Sequence, residues 1–113
     1  MAPTPLYLGE FEQLVLLAIL RLGAEADGVG IGRALEAEAG RRVSRGALYT
    51  TLDRLEQKQL VRWKVALGGE ERGRLPRRLY ALSARGLASI RAAQHAFRQM
   101  SRGLDRILKD PTS

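Results

Sequence analysis

Between Arg41 and Arg78 the chain gathers groups that could hold a polyanion. The stretch RRVSRGALYTTLDRLEQKQLVRWKVALGGEERGRLPRR contains Arg41, Arg42, Arg45, Arg54, Lys58, Arg62, Lys64, Arg72, Arg74, Arg77 and Arg78. These eleven cations stand against four acids, Asp53, Glu56, Glu70 and Glu71, a surplus of seven. The whole 113-residue chain carries +7, so the remainder sums to zero. A cationic field concentrated this way attracts phosphate, and nucleic acid is the commonest polyanion to match it. Lysine occurs only at positions 58, 64 and 109. Arginine offers a planar fork that grips phosphate or a guanine edge, whereas lysine is a point charge. A GC-rich genome explains that ratio equally well, but not why the excess is local.

The residues best suited to read a duplex open a helix inside this stretch. A helix in the major groove presents its N-terminal turn to base edges. Arg45, Thr50 and Thr51 offer donors there, and Tyr49 can give its hydroxyl to a phosphate. Gly46 allows a close backbone approach, and the amides near Ser44 to Ala47 can hold a phosphate. Arg42 before this helix, Arg54 late in it and Lys64 in the strand that follows are expected as further DNA contacts. The later run GGEERGRLPRR carries Arg72, Arg74, Arg77 and Arg78, suited to a narrow minor groove or to flanking phosphate. Plainer readings stay open: a solvated surface helix, and a loop that is merely soluble, for which Glu70 and Glu71 argue.

Apolar spacing gives the elements that must hold these groups. Residues 1–7, with Pro3 and Pro5, read as a loose arm. Phe11, Leu14, Val15, Ala18 and Leu22 recur at helical spacing, and Leu16, Leu17, Ile19 and Leu20 fill most of the circumference, as in a central core helix that stops at Gly23. After a turn over Ala24–Val29, a second helix spans Gly30–Ala39 and ends at Gly40. Ser44 is a fitting N-cap for a third helix through Lys58, with Leu48, Leu52 and Leu55 on one face. Helix, short connector, helix is a helix-turn-helix.

From Leu60 the period changes to two. Val61, Trp63, Val65 and Leu67 alternate with polar residues as in a half-buried strand, with Trp63 on the apolar side. A loop runs from Gly68 through Pro76, and Arg78–Leu82 reads as the returning strand, completing a basic wing. Ser83 caps a last helix that could run to Lys109. In it Ile90, Ala93, Phe97, Met100, Leu104 and Ile107 step by three and four, the spacing of a self-association seam. Such a seam left exposed is too large an apolar patch for a monomer. The alternative is an amphipathic helix packed on its own domain. The expected fold is mainly α with a small β-hairpin (α+β): a winged helix-turn-helix over 8–82, a dimerisation helix over 83–109 and a disordered tail over 110–113.

Catalysis and metal binding find little support. The chain has no cysteine, and His95 stands alone, so neither a disulfide framework nor a metal site is expected, and no cofactor. No Ser/His/Asp set, phosphate loop or paired carboxylates can be assembled. The N-terminus lacks a charged region before an apolar run, and Leu14 to Leu20 is far short of a membrane span. A cytoplasmic protein without membrane contact is the expectation.

The ordered pieces resemble the PadR-like family of bacterial transcriptional regulators. The resemblance runs from LGEFEQLVLLAIL at Leu8–Leu20 to SARGLASI at Ser83–Ile90, and its most specific parts are VSRGALYTTLDRLEQKQLV at Val43–Val61 and RGRLPRRLYALSARG at Arg72–Gly86. It implies a homodimeric repressor on a pseudo-palindromic operator in double-stranded DNA. Ser44, Gly46, Tyr49 and Thr50 would face the DNA, and Arg77 and Arg78 would sit at the wing base. The chain looks like the short type, with one dimer helix. It departs from the family in having Gln59 where glycine is usual, and Val29 where an aromatic residue is usual. Gln59 puts the turn after the third helix in question, because a left-handed non-glycine residue costs roughly 1 kcal/mol. Two other readings remain: a regulator sensing a small-molecule effector in the dimer crevice, and a winged helix binding RNA or an acidic protein.

Overall fold

A computed structural model describes residues 8–67 and 75–109. The arm, the wing tip with Arg72 and Arg74, and the tail at 110–113 lie outside the described residues. The elements run α1 (Glu10–Leu22), a 3-10 turn (Gly23–Glu25), α2 (Gly28–Ala39), α3 (Arg45–Gln57), β1 (Val61–Leu67), β2 (Pro76–Leu82), α4 (Ala84–Ser101) and α5 (Asp105–Lys109). Three helices followed by a two-stranded antiparallel hairpin make a winged helix-turn-helix.

Apolar faces of α1, α2 and α3 close on one core. Val15, Leu16, Ile31, Leu35, Leu52, Leu55 and Leu60 are its largest fully buried members, and Tyr80 and Ile90 bring in the wing base and the start of α4. Helices α2, α3 and α4 begin where side-chain acceptors meet otherwise orphaned amides. Ser44 Oγ accepts from the Ala47 N–H at 3.1 Å. Asp27 Oδ1 accepts from the Gly30 N–H at 2.8 Å, so α2 starts at Gly28, two residues before the position expected from sequence. Asp27 gives little local signal of this cap, because Gly28 and Gly30, poor helix formers, open the helix behind it.

The end of α3 answers the question raised by Gln59. Leu60 N–H donates to the Leu55 carbonyl at 2.9 Å and Gln59 N–H to the Glu56 carbonyl at 2.8 Å. Gln59 itself takes the left-handed conformation, φ 63°. The turn is therefore the usual glycine-type helix stop, built on glutamine. Its geometry matters because α4 docks on it. Ser83 Oγ donates to the Gln59 carbonyl at 2.7 Å, Ser83 N–H donates to the Leu60 carbonyl at 3.0 Å, and Gly86 lies so close to that carbonyl that a Cβ would collide with it.

The hairpin pairs Val61 with Leu82, Trp63 with Tyr80 and Val65 with Arg78. Alternation predicts which face points inward but not how far the body extends beneath it. Val61 is buried and Trp63 half-buried, yet Val65 and Leu67 are exposed, because among the described residues no part of the core lies beneath the outer half of the wing. Trp63 packs at the core edge, as expected, and its indole N–H donates to Glu56 at 2.6 Å.

The final helix differs from the single rod expected through Lys109. It stops at Ser101, where Arg102 turns to ψ 131°, and Gly103 then takes φ 81°. A five-residue α5 follows. Ile90 does not belong to an intermolecular seam: it is 2% exposed in the domain's own core, and Ala93 packs against the same core. The first turns of α4 lie on the domain body, so the heptad-like spacing there serves intramolecular packing.

Replacing Gln59 with glycine should raise stability. Removing left-handed strain gains roughly 1–2 kcal/mol, while added freedom of the unfolded chain costs roughly 0.4–1 kcal/mol. Urea denaturation of Gln59→Gly should show a net gain; a lower midpoint would mean that the glutamine side chain contributes more than its backbone costs.

Candidate nucleic-acid interface

The N-terminal turn of α3 stands at the surface with Arg42, Ser44, Arg45, Gly46 and Thr50 exposed beside it. Tyr49 is half-buried. Its ring reaches back over α2, where Gly28 leaves room for it: a methyl at Gly28 would overlap the Tyr49 hydroxyl and ring carbon. Gly28 was not singled out from sequence, because the need for a bare backbone arises from a residue 21 positions away. Two hollows meet at Tyr49. One, of about 250 Å³, lies between α2 and the start of α3 and includes Val29, Arg33, Arg42 and Arg45. The other, of about 240 Å³, runs to the wing base and includes Asp27, Pro76, Arg77 and Arg78. Together they form a shallow, cation-rimmed surface from the helix-turn-helix to the wing. Arg33 joins this surface from outside the basic stretch and was missed for that reason.

The eleven-cation stretch is less free than its sequence suggests, because helices packed on it supply acids. Lys58 Nζ contacts both carboxylate oxygens of buried Glu12, at 3.0 and 2.7 Å. Arg41 pairs with Glu10, and Arg42 loosely with Glu36 at 3.4 Å. Arg77 turns inward, donating to Asp27 at 3.0 Å and to Glu25 at 3.1 Å. It was expected to contact DNA and instead ties β2 to the 3-10 turn. The Tyr80 N–H donates to the Ala26 carbonyl at 2.8 Å beside it, so strand and turn are joined by backbone as well.

Other expected contacts hold mixed places. Arg78 is exposed, but its guanidinium lies 4.0 Å from the Trp63 ring centroid, a cation–π stack that fixes its direction. The neighbouring Tyr80 hydroxyl is buried without a well-formed hydrogen bond among the described residues. Burial pushes this phenol above its ordinary value, and nearby Arg78 opposes the rise. Thr51 is not a reader: it is buried, and its hydroxyl donates to the Ala47 carbonyl at 3.1 Å. Ser44 spends an acceptor on capping. Arg45, Arg54, Arg62 and Lys64 are exposed and form no ion pair among the described residues. Arg45 alone of these joins Tyr49, Arg33 and Arg42 around the first hollow; Arg54 lies on the far flank of α3, close enough to Glu12 to favour its charged form. Lys64 is on the wing face opposite Trp63.

This architecture has counterparts. The family model described as "Transcriptional regulator PadR-like family" matches residues 16–92. The chain belongs to the PadR-like family of transcriptional regulators. A PadR-like regulator from Bacillus cereus superposes with a TM-score of 0.71 at 19% identity, covering 88% of this chain and 92% of that one. One from Eggerthella lenta gives 0.63 at 26% identity, covering 88% and 87%. Bacillus subtilis PadR, solved in complex with operator DNA, gives 0.62 at 20% identity, over 75% of this chain and 47% of that one. A search of curated proteins returns no match. For a PadR-like fold, no described helix is long and apolar enough to cross a membrane, and no described cluster of acids and histidine could hold a metal ion.

Glu12 gives a pH test of the charge arrangement. Burial alone would push its carboxyl up. The Lys58 hydrogen bond, the Gly9 N–H and the charges of Lys58 and Arg54 outweigh that and hold it below its ordinary 4.5. A lowered folded value contributes stability that is complete above the unfolded value and lost as pH falls through the folded one. Glu12→Gln should cost roughly 1–3 kcal/mol at neutral pH, the contribution of a part-buried, charge-assisted hydrogen-bond pair. It should also flatten the loss of stability expected of the parent as pH falls below about 4.5. Parallel denaturation curves for the two at every pH would remove the pair from this role.

Proposed function

We propose that the protein is a homodimeric transcriptional repressor that reads a pseudo-palindromic operator in double-stranded DNA. The observation that carries this reading is the exposed turn opening α3, where Arg45, Gly46 and Thr50 stand clear of the core beside Tyr49, with Lys64 on the adjoining wing. α3 would enter a major groove with its first turn toward base edges. Arg45 matches a guanine edge, and the amides around Gly46 match a phosphate. Membership of the PadR-like family and the likeness to a regulator solved on operator DNA support the assignment. The basic wing would hold flanking backbone, a role for which the sequence also offers Arg72 and Arg74.

Homodimerisation is supported by what α4 and α5 leave uncovered. Phe97 is 71% and Met100 80% exposed, and Ile107 and Leu104 continue the apolar set after the break at Gly103. A second copy would cover them and set the two α3 helices about 34–36 Å apart, one turn of B-DNA. A dimer seated across a promoter represses by occlusion, the sign of regulation that the family resemblance implies.

Fragments selected from the source genome provide the operator for these tests. Specific binding in the range of roughly 10⁻⁸ to 10⁻¹¹ M is expected, with affinity falling steeply as salt rises. Arg45→Ala should weaken operator binding by a factor corresponding to roughly 1–3 kcal/mol and relax preference at one base pair. Arg77→Ala should lower thermal stability first. Unaltered binding by Arg45→Ala and by Tyr49→Ala would remove α3 from the reading role, and tighter binding to RNA hairpins than to duplex DNA would replace the function proposed.

The dimer has its own test. Phe97→Asp should yield folded monomers by light scattering, since a buried charge at the seam is uncompensated. An unchanged mass would reject this face.

A further inference from the structure

The sequence outside Arg41–Arg78 is neutral only in sum. Five of its eight acids, Glu10, Glu12, Glu25, Asp27 and Glu36, pair with Arg41, Arg42, Lys58 and Arg77 inside that stretch. The cations left behind gather on α4. That helix, ARGLASIRAAQHAFRQMS, contains no acid. Arg91, His95 and Arg98 fall within about 60° of one another around its axis, and Arg102, which closes it, continues the line. All four are exposed, and none forms an ion pair among the described residues. The stripe runs along the outer side of α4, away from Ile90 and Ala93, which meet the domain core, and from the uncovered Phe97 and Met100. Arg98 and Arg102 stand one turn apart, a like-charged pair that weakens a helix. An anion laid along the stripe removes that cost.

We propose that this stripe binds the phosphate backbone of a second segment of duplex DNA, so that the protein joins two stretches of double helix. This rests on the DNA-binding reading above and adds a surface to it. From Arg91 to Arg102 the helix rises roughly 16 Å, a length over which one strand of B-DNA carries about five phosphates. A protein partner fits less well. The core of a protein interface is poor in charge and rich in aromatic residues and methionine; on α4 those residues are Phe97 and Met100, on the other side. Backbone contact with DNA needs cations alone. The duplex on the stripe is a second segment because α4 docks at the end of α3, roughly 20 Å from the turn that would read the operator. Phosphate contact carries no base information, so this segment needs no operator sequence. A two-fold dimer presents the stripe twice.

The test uses the full-length protein. A short operator duplex is immobilised, loaded with protein and washed, and a labelled duplex of unrelated sequence is added at low salt. The parent should retain it. The double variant Arg91→Gln/Arg98→Gln should hold the operator as the parent does but retain about fivefold less of the second duplex, or lower still. Glutamine is a good helix former, so the variant keeps α4. The log–log salt slope of retention should fall by about two, roughly 0.9 for each lost phosphate contact. Equal retention by parent and variant, or none by a protein that holds its operator, overturns the second site and leaves the operator reading standing. Tighter stripe-dependent binding of a polyglutamate chain than of duplex overturns DNA as the occupant. A protein that holds no operator removes both readings.

Discussion

The side chain of Asp27 ties the parts of this molecule that must act together. One carboxylate oxygen caps α2 and the other holds Arg77 of β2. The residue is 4% exposed, so it is a buried charge that stays tolerable only because both oxygens are matched. Through it the first helix of the helix-turn-helix and the base of the wing share one anchor. The adjoining backbone bond from Tyr80 to Ala26 fixes the strand alongside. On the α3 side, the wing is joined through the Gln59 turn, the Trp63–Glu56 contact and the core that Leu55, Val61 and Tyr80 share.

Around that anchor the charges divide into two populations. Arg41, Lys58 and Arg77 meet acids brought by α1 and by the start of α2, and Arg78 is stacked on Trp63. They hold elements in place. Arg45, Arg62 and Lys64 remain on the outside. A DNA-binding surface needs both kinds: free guanidiniums to meet phosphate or bases, and a rigid frame that keeps them in register so that ordering them at binding costs little. A concentrated positive sequence thus serves folding as much as recognition.

The uncovered apolar groups follow a similar division. The first turns of α4 complete the domain's core through Ile90 and Ala93, while Phe97 and Met100 project from it. The helix is therefore at once a part of the domain and an arm reaching beyond it. A close junction at its start, where Gly86 sits against the Leu60 carbonyl, ties the direction of that arm to the end of α3. Any partner that grips the arm fixes the orientation of α3 through this junction.

Local signals in the sequence determined a good deal. Ser44 and Ser83 as caps, Gly23 and Gly40 as stops, the leucine stripe of α3 and the change of period at Val61 each act within a few residues, and each lies where it was expected. The exposed opening of α3, with Arg45 and Thr50, was readable for the same reason. Tertiary structure alone decided which cations are spent. Glu10 reaches Arg41 across 31 positions, Glu12 reaches Lys58 across 46, and Asp27 reaches Arg77 across 50. Charge at that separation has no periodicity to betray it. The same holds for Ile90, whose spacing suits a seam between chains or a face within one; only the presence of α1 and the core beneath it settles the choice. Short-range hydrogen bonding and periodic burial are written along the chain, whereas the pairing of buried charge and the supply of a surface to pack against arise only once distant segments meet.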